Sequence, residues 1–255
     1  MIATARRPET LNDLVALAER EHLHLKAAAC DVTDEGSMQR AVEFAHASFG
    51  DIHVLVNNAG YGLIGPVEAV PVSEARRQLE VNTLGPMRLV QLVAPDMRRA
   101  RWGRIINVSS VLGRIVQPLN GWYCASKFAL EALSDALRME LAPFGIRTVS
   151  ILPGPVRTKF VNNVTVSELP SGAPAFYRGL LEFRQRRREM RPFEIPADKV
   201  ARVILRAIHS SRPRPRYVLT LPARVGLCLR PFFTDRAWDR VMSAYSGLNR
   251  LKTEG

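Results

Sequence analysis

Short apolar runs alternate along this chain with longer stretches whose apolar residues return every three or four positions, and that alternation leaves few folds open. Residues 2–5, 23–30, 52–56, 104–108, 147–152 and 216–221 read as strands. Between them, Leu11, Leu14, Val15, Leu17 and Ala18 follow Pro8 at helical spacing, as do Met38, Ala41, Val42 and Ala45 further on. A long helical pattern runs from Ser73 to about Met97, another from Ala125 to Leu141, and a third from Ala197 to Ile208. Strands and helices alternating at this spacing build βαβ units, hence a parallel sheet with helices on both faces. The expectation is one α/β domain over residues 1–255, because no internal repeat or low-complexity linker divides it.

The chemistry concentrates at one strand end. Ser109 and Ser110 follow the apolar run at 104–108, and ligands of open α/β sheets bind at the carboxyl ends of the strands. In the next helix Tyr123 and Lys127 stand four apart, on one face and one turn from each other. A free phenol titrates near ~10, and an ammonium within a few ångströms favours the phenolate, drawing that value toward the working range. A hydroxyl, a phenol and an ammonium are therefore expected to converge.

Tyr-x-x-x-Lys alone is a weak signal, but its company is specific. Ser110 lies thirteen residues before Tyr123, and Asn57-Asn58-Ala59-Gly60, Val81-Asn82 and Pro153-Gly154-Pro155-Val156-Arg157-Thr158 flank the pair. In this order the set resembles the short-chain dehydrogenase/reductase family, over about residues 2–158. The Ala-Thr-Ala-Arg-Arg-Pro-Glu stretch at 3–9 is similar to the hydroxysteroid and retinol dehydrogenase branch. The resemblance implies a Rossmann-like, doubly wound parallel sheet and hydride transfer between a nicotinamide cofactor and an alcohol or carbonyl. It gives Tyr123 the role of general acid or base, and makes Lys127 the group that tunes Tyr123 and holds the cofactor ribose. Ser110 would bond the substrate oxygen, and Asn82 would anchor a water in the proton relay. Asp31 and Val32 match the adenine contacts, Asn58, Ala59 and Gly60 the floor beside the dinucleotide, and Pro153, Gly154, Val156 and Thr158 the nicotinamide end. Where an NAD site places an acid for the ribose hydroxyls this chain has Ala5, and Arg6 follows with Arg7 behind it. A guanidinium there suits a 2′-phosphate, so NADP(H) is expected over NAD(H).

One departure stands out. The family opens with a strand, a glycine-rich turn and a helix before the segment that begins here at Ile2, and the turn serves the pyrophosphate. The run Gly60-Tyr61-Gly62-Leu63-Ile64-Gly65 has the right letters, but its Asn-Asn-Ala-Gly context places it elsewhere in the site. The chain is thus expected to lack that first unit, and an inactive binding or regulatory protein on a truncated fold is the rival reading.

Residues 159–195 read as a substrate flap. Phe160, Phe176, Tyr177, Leu180, Leu181 and Phe183 precede a basic run from Arg184 to Arg191, which points to a bulky lipophilic substrate such as a steroid, retinoid or fatty-acyl compound. Residues 196–255 supply the last helix, the last strand and a tail with Trp238, Val241, Met242, Tyr245 and Leu248 on one stripe. Such a tail packs on the core, pairs with a partner in a homodimer or homotetramer, or lies against a membrane surface. The net charge of +12 is carried mostly by arginine, without the aromatic interleaving of a nucleic-acid surface, so no nucleic-acid partner is expected. Three scattered cysteines, five histidines without ligand spacing and no secretory signal point to a cytoplasmic protein without a metal.

Overall fold

The structure, a computed structural model, describes residues 1–158, 164–189 and 194–250; Phe160 and Arg191 of the flap lie outside them. The strands are β1 (Ile2–Ala5), β2 (Lys26–Ala29), β3 (Val54–Asn57), β4 (Gly62–Ile64), β5 (Gly103–Val108), β6 (Ile146–Leu152), β7 (Val156–Arg157), β8 (Val164–Val166), β9 (Ile195–Pro196) and β10 (Arg216–Val218). The helices are α1 (Asn12–Arg20), α2 (Glu35–Phe49), α3 (Val72–Leu79), α4 (Gly85–Arg99), α5 (Gly121–Glu140), α6 (Ala175–Glu189), α7 (Ala197–His209), α8 (Leu221–Leu229) and α9 (Asp235–Ser246).

The central sheet has the order β10-β6-β5-β3, with every neighbour parallel. Both faces are covered, as a parallel sheet requires. Ile105 and Ile146 pack with Val90, Val93 and Met97 of α4, whereas Ile106, Val149 and Ile151 pack with Ala207 and its neighbours on α7. The α/β parallel architecture expected from the alternation is present. β1 and β2 form a separate parallel pair, and among the described residues no ladder joins that pair to the central sheet. β1 and β3 each have a ladder partner on one side only, and Val56 of β3 is 38% exposed. The small pair is attached through side chains instead. Cys30, Met38 and Ala41 pack on Leu89 and Leu92 of α4, and His46 of α2 bonds Asp96 of α4 at 2.7 Å. The Asp96 carboxylate also takes the Ile52 amide, fixing the entry to β3.

Several elements differ from the sequence pattern. β2 begins at Lys26 rather than Leu23, because the chain leaves α1 through a turn with His22 at a φ of 53°. The helix expected from Ser73 to Met97 is broken by a π turn over Glu80–Leu84. The last strand stops at Val218, and Leu221, taken as its end, opens α8 with Pro222 in the first turn. The flap contributes β8, which pairs with β4, and α6. The Gly60–Gly65 run forms β4 and does not open a helix.

Candidate active site

The site forms where β5 ends. Ser110 leaves the strand in extended conformation, and its hydroxyl accepts the Leu112 amide at 3.1 Å, starting a short 3-10 turn. The chain then crosses to the start of α5 through Leu119, a buried leucine at a φ of 64°. A bulky residue in the left-handed region is uncommon, and such strain gathers at functional sites. Leu119 accepts the Gly65 amide through its carbonyl, which ties this crossing to β4. Arg184 of α6 donates to Asn120 Oδ1 at 2.8 Å and so fastens the flap helix to the start of α5.

Tyr123 and Lys127 share the inner face of α5. Ser110 beside the Tyr123 hydroxyl favours the phenolate, but burial outweighs it and pushes the phenol up to about 12. This corrects the expectation of a phenol drawn down by its lysine: the Lys127 ammonium donates to the Val108 carbonyl at 2.9 Å, and what governs the phenol is burial. Lys127 is 5% exposed, and burial pulls its amine down to about 8, partly opposed by the charge of Glu131. An ammonium has three N–H groups, and Val108 takes one of them.

Asn82 sits inside the π turn, fully buried. Single π turns in helices are frequent at functional sites, and this one points a carboxamide at the next helix. Its amide donates to the Tyr61 carbonyl and to Ser126 Oγ, both at 3.0 Å, and its oxygen takes the Tyr61 amide at 3.1 Å. Ser126 Oγ in turn donates to the Tyr123 carbonyl at 2.8 Å. Asn82 therefore fixes the catalytic helix and the Gly60–Tyr61 floor at once. A Cβ at Gly60 would lie 3.1 Å from Asn82 Oδ1 and 3.6 Å from Lys127 Nζ, so the glycine keeps the floor open over both.

The structure thus brings Asn82, Ser110, Tyr123, Lys127 and Gly60 together. The sequence over residues 1–168 matches the family described as "short chain dehydrogenase". The chain belongs to that family. Human retinol dehydrogenase 5 is 34% identical over 232 residues, covering 85% of this chain and 71% of that protein. The NADPH-dependent 3-dehydrocapnine reductase of Ornithobacterium rhinotracheale is 31% identical, covering 88% and 81%. A solved short-chain dehydrogenase from Streptomyces avermitilis superposes with a TM-score of 0.80 at 30% identity, over 98% of this chain and 87% of that one.

The dehydrogenase's remaining candidates lie around this centre. Arg6 and Arg7 follow β1 and are exposed, beside the end of β2, where Cys30 N donates to Ala5 O at 2.9 Å. Burial raises the Asp31 carboxyl, but the Thr33 amide and hydroxyl, with the charges of Arg6 and Arg77, bring it below its ordinary value. Arg6 and Asp31 are thus electrostatic neighbours. The Val32 carbonyl would stand 2.5 Å from a Cβ at Gly85, which presses the loop after β2 against the start of α4. Asn58 and Ala59 are exposed at the end of β3. The Pro153 carbonyl accepts the Val111 amide at 3.2 Å, and a Cβ at Gly154 would collide with Thr220 Oγ1 at 2.6 Å. Val156 belongs to β7, which pairs with β9, and Thr158 follows it.

These residues fit the two ends of a dinucleotide. For the pyrophosphate between them, the described residues contain no glycine-rich turn leading from a strand into a helix. They also contain no group of three His, Cys, Asp or Glu placed to hold a metal, and no helix long and apolar enough to cross a membrane.

Sequence reasoning missed the polar girders of the site. Asn57 Nδ2 donates to Asn107 Oδ1 at 2.9 Å, and Asn107 Nδ2 donates to Ser134 Oγ at 2.8 Å, linking β3, β5 and α5 beneath the catalytic groups. Asn107 inside an otherwise apolar strand was the available signal. Glu131 and Arg216 were missed too, although a glutamate on the apolar side of α5 marks a buried charge.

Proposed function

We propose that this dehydrogenase interconverts an alcohol and a carbonyl on a lipophilic substrate with NADP(H) as the hydride carrier. The observation that carries the reading is the placement of Tyr123 beside Ser110 and of the buried Lys127 on the same helix, with N–H groups beyond the one given to Val108. The nicotinamide, when bound, supplies or accepts the hydride. Tyr123 passes a proton between its phenol oxygen and the substrate oxygen, while the Ser110 hydroxyl bonds that same oxygen where charge develops. Lys127 holds the ribose hydroxyls with its remaining N–H groups. A phenol pushed up to about 12 is protonated at neutral pH, which suits donation to a reduced carbonyl oxygen.

Arg6 with Arg77 near Asp31 supports recognition of a 2′-phosphate, as does the NADPH dependence in the name of the Ornithobacterium relative. A lipophilic substrate is supported by the apolar cluster of Ile64, Leu119 and Leu180 with Phe176 and Leu181 next to the start of α5, and by the relative named for retinol. The lack of a glycine-rich turn among the described residues favours a second reading, an inactive binding protein, which a titration with NADPH separates from the first. Two apolar faces support partners. Ala125, Phe128, Ala132 and Leu133 form an exposed stripe on α5 that suits a second copy. Leu221, Val225 and Leu229 of α8, with Phe232 at 85% exposure, form another beside Arg224 and Arg236 that suits an anionic lipid surface.

The test is Tyr123→Phe. Turnover of a lipophilic ketone with NADPH should fall by a factor of about 10² or more, with NADPH affinity within about twofold. Near-normal turnover would overturn the assignment.

A further inference from the structure

Glu131 stands four residues after Lys127, one turn along the same helix. It is 1% exposed, and glutamate is almost never fully buried unless paired. One oxygen is paired: Oε2 takes the Arg216 Nε–H at 2.7 Å, from β10. The other, Oε1, is buried without a hydrogen-bond partner among the described residues. A buried carboxylate oxygen left bare carries a desolvation cost that the pair with Arg216 offsets only in part.

The position of the side chain is fixed from the catalytic side. A Cβ at Gly113 would lie 2.9 Å from the Lys127 carbonyl, 3.0 Å from Ser109 Oγ and 3.1 Å from Glu131 Cγ. The turn that follows Ser110, the peptide of Lys127 and the stem of Glu131 therefore meet at one point, and only a glycine fits between them. Arg216 holds the far end. Its guanidinium bonds both Glu131 and Asp135, and Asp135 is also bonded by Arg138.

We propose that Glu131 is a positioning residue that keeps the buried Lys127 amine in its cationic form, and that Arg216 sets how strongly it does so. Among the described residues the ammonium itself donates to the Val108 carbonyl, while Glu131 is tied through Arg216 to Asp135 and Arg138. The charge of Glu131 opposes the effect of burial on the ammonium. In a site closed to water its field is weakly screened. The cation is what a ribose hydroxyl and a reacting phenol require of Lys127, so a carboxylate one turn behind it serves the chemistry without touching substrate.

The inference deepens the reading of Lys127 given above, and its test reads the amine directly. The chain has five lysines, so the side-chain ¹³Cε/¹⁵Nζ signals of a labelled sample can be resolved, with Lys127→Arg identifying the signal lost. Titrated between pH 6 and 11, Lys127 in Glu131→Gln should show a midpoint about one pH unit or more below that of the wild type. Arg216→Gln removes the countercharge and should raise the midpoint, giving an opposite sign and a second route if Glu131→Gln fails to fold. A Glu131→Gln midpoint unchanged, or an Arg216→Gln midpoint that stays or falls, overturns the proposal. If the midpoints move as stated while no variant or wild type turns over substrate, the enzymatic reading fails and this one stands.

Discussion

Replacing Lys127 by methionine should make the free protein more stable at neutral pH. The reasoning begins with an ammonium that is 5% exposed and whose amine is pulled from 10.5 down to about 8, chiefly by burial. A depressed folded value means that between about pH 8 and 10.5 the unfolded chain binds more protons than the native one, so stability rises with pH across that window. Below pH 8 the whole cost is present. At 1.36 kcal/mol per pH unit, the shift corresponds to roughly 3 kcal/mol. Methionine keeps most of the stem packing but gives up the bond to the Val108 carbonyl, worth about 1–2 kcal/mol. Lys127→Met should then gain about 1–2 kcal/mol over wild type at pH 7 and lose that advantage, or reverse it, by pH 10. Urea unfolding of both proteins at several pH values gives the difference, in which the other titrating groups cancel. A wild type whose stability relative to Lys127→Met is flat from pH 7 to 10 would refute the reasoning, as would a methionine variant less stable at pH 7.

Other outcomes follow from single contacts. Arg6→Ala should weaken NADPH by roughly 1.5–3 kcal/mol and leave NADH almost unchanged, read by fluorescence titration of each; equal loss for both removes the phosphate reading. Asn107→Ala removes one partner each from Asn57 and Ser134 beneath the site and should cost about 1–3 kcal/mol in urea unfolding. Phe232→Asp, made on the most exposed apolar residue of the α8 face, should reduce co-sedimentation with anionic vesicles severalfold at unchanged stability.

How much of this was legible beforehand depends on the length scale of the cause. The alternation of strands and helices, the parallel sheet and the convergence of Ser110, Tyr123 and Lys127 all follow from periodicity and strand-end logic, which act over a few residues. The phenol's direction of shift did not follow, because burial of Tyr123 is set by segments far away in the chain, and burial outweighed the lysine. The π turn was hidden because Val81-Asn82-Thr83 keeps apolar spacing on both sides, and nothing local marks one extra residue in a turn. Leu221 reads as the end of the last strand because it suits either element, and Pro222 in a first turn is a weak signal. The Arg216–Glu131 pair joins residues 85 positions apart, beyond any local pattern.

The split between the two-stranded and the four-stranded sheet has a consequence for how the molecule comes apart. With no ladder bonds between them among the described residues, the β1–β2 pair is joined to the rest through the Met38–Leu89 cluster and the His46–Asp96 bond. Such a segment can open as a unit of its own, below the free energy of global unfolding. Amide exchange at β1 and β2 should then outpace exchange at β5 and β6. Arg6, Asp31 and Val32, proposed above for the adenine side, ride on the looser unit, while Ser110, Tyr123 and Lys127 ride on the tighter one. A ligand that spans both would act as a clasp between two foldons, and part of its binding energy would go into closing them.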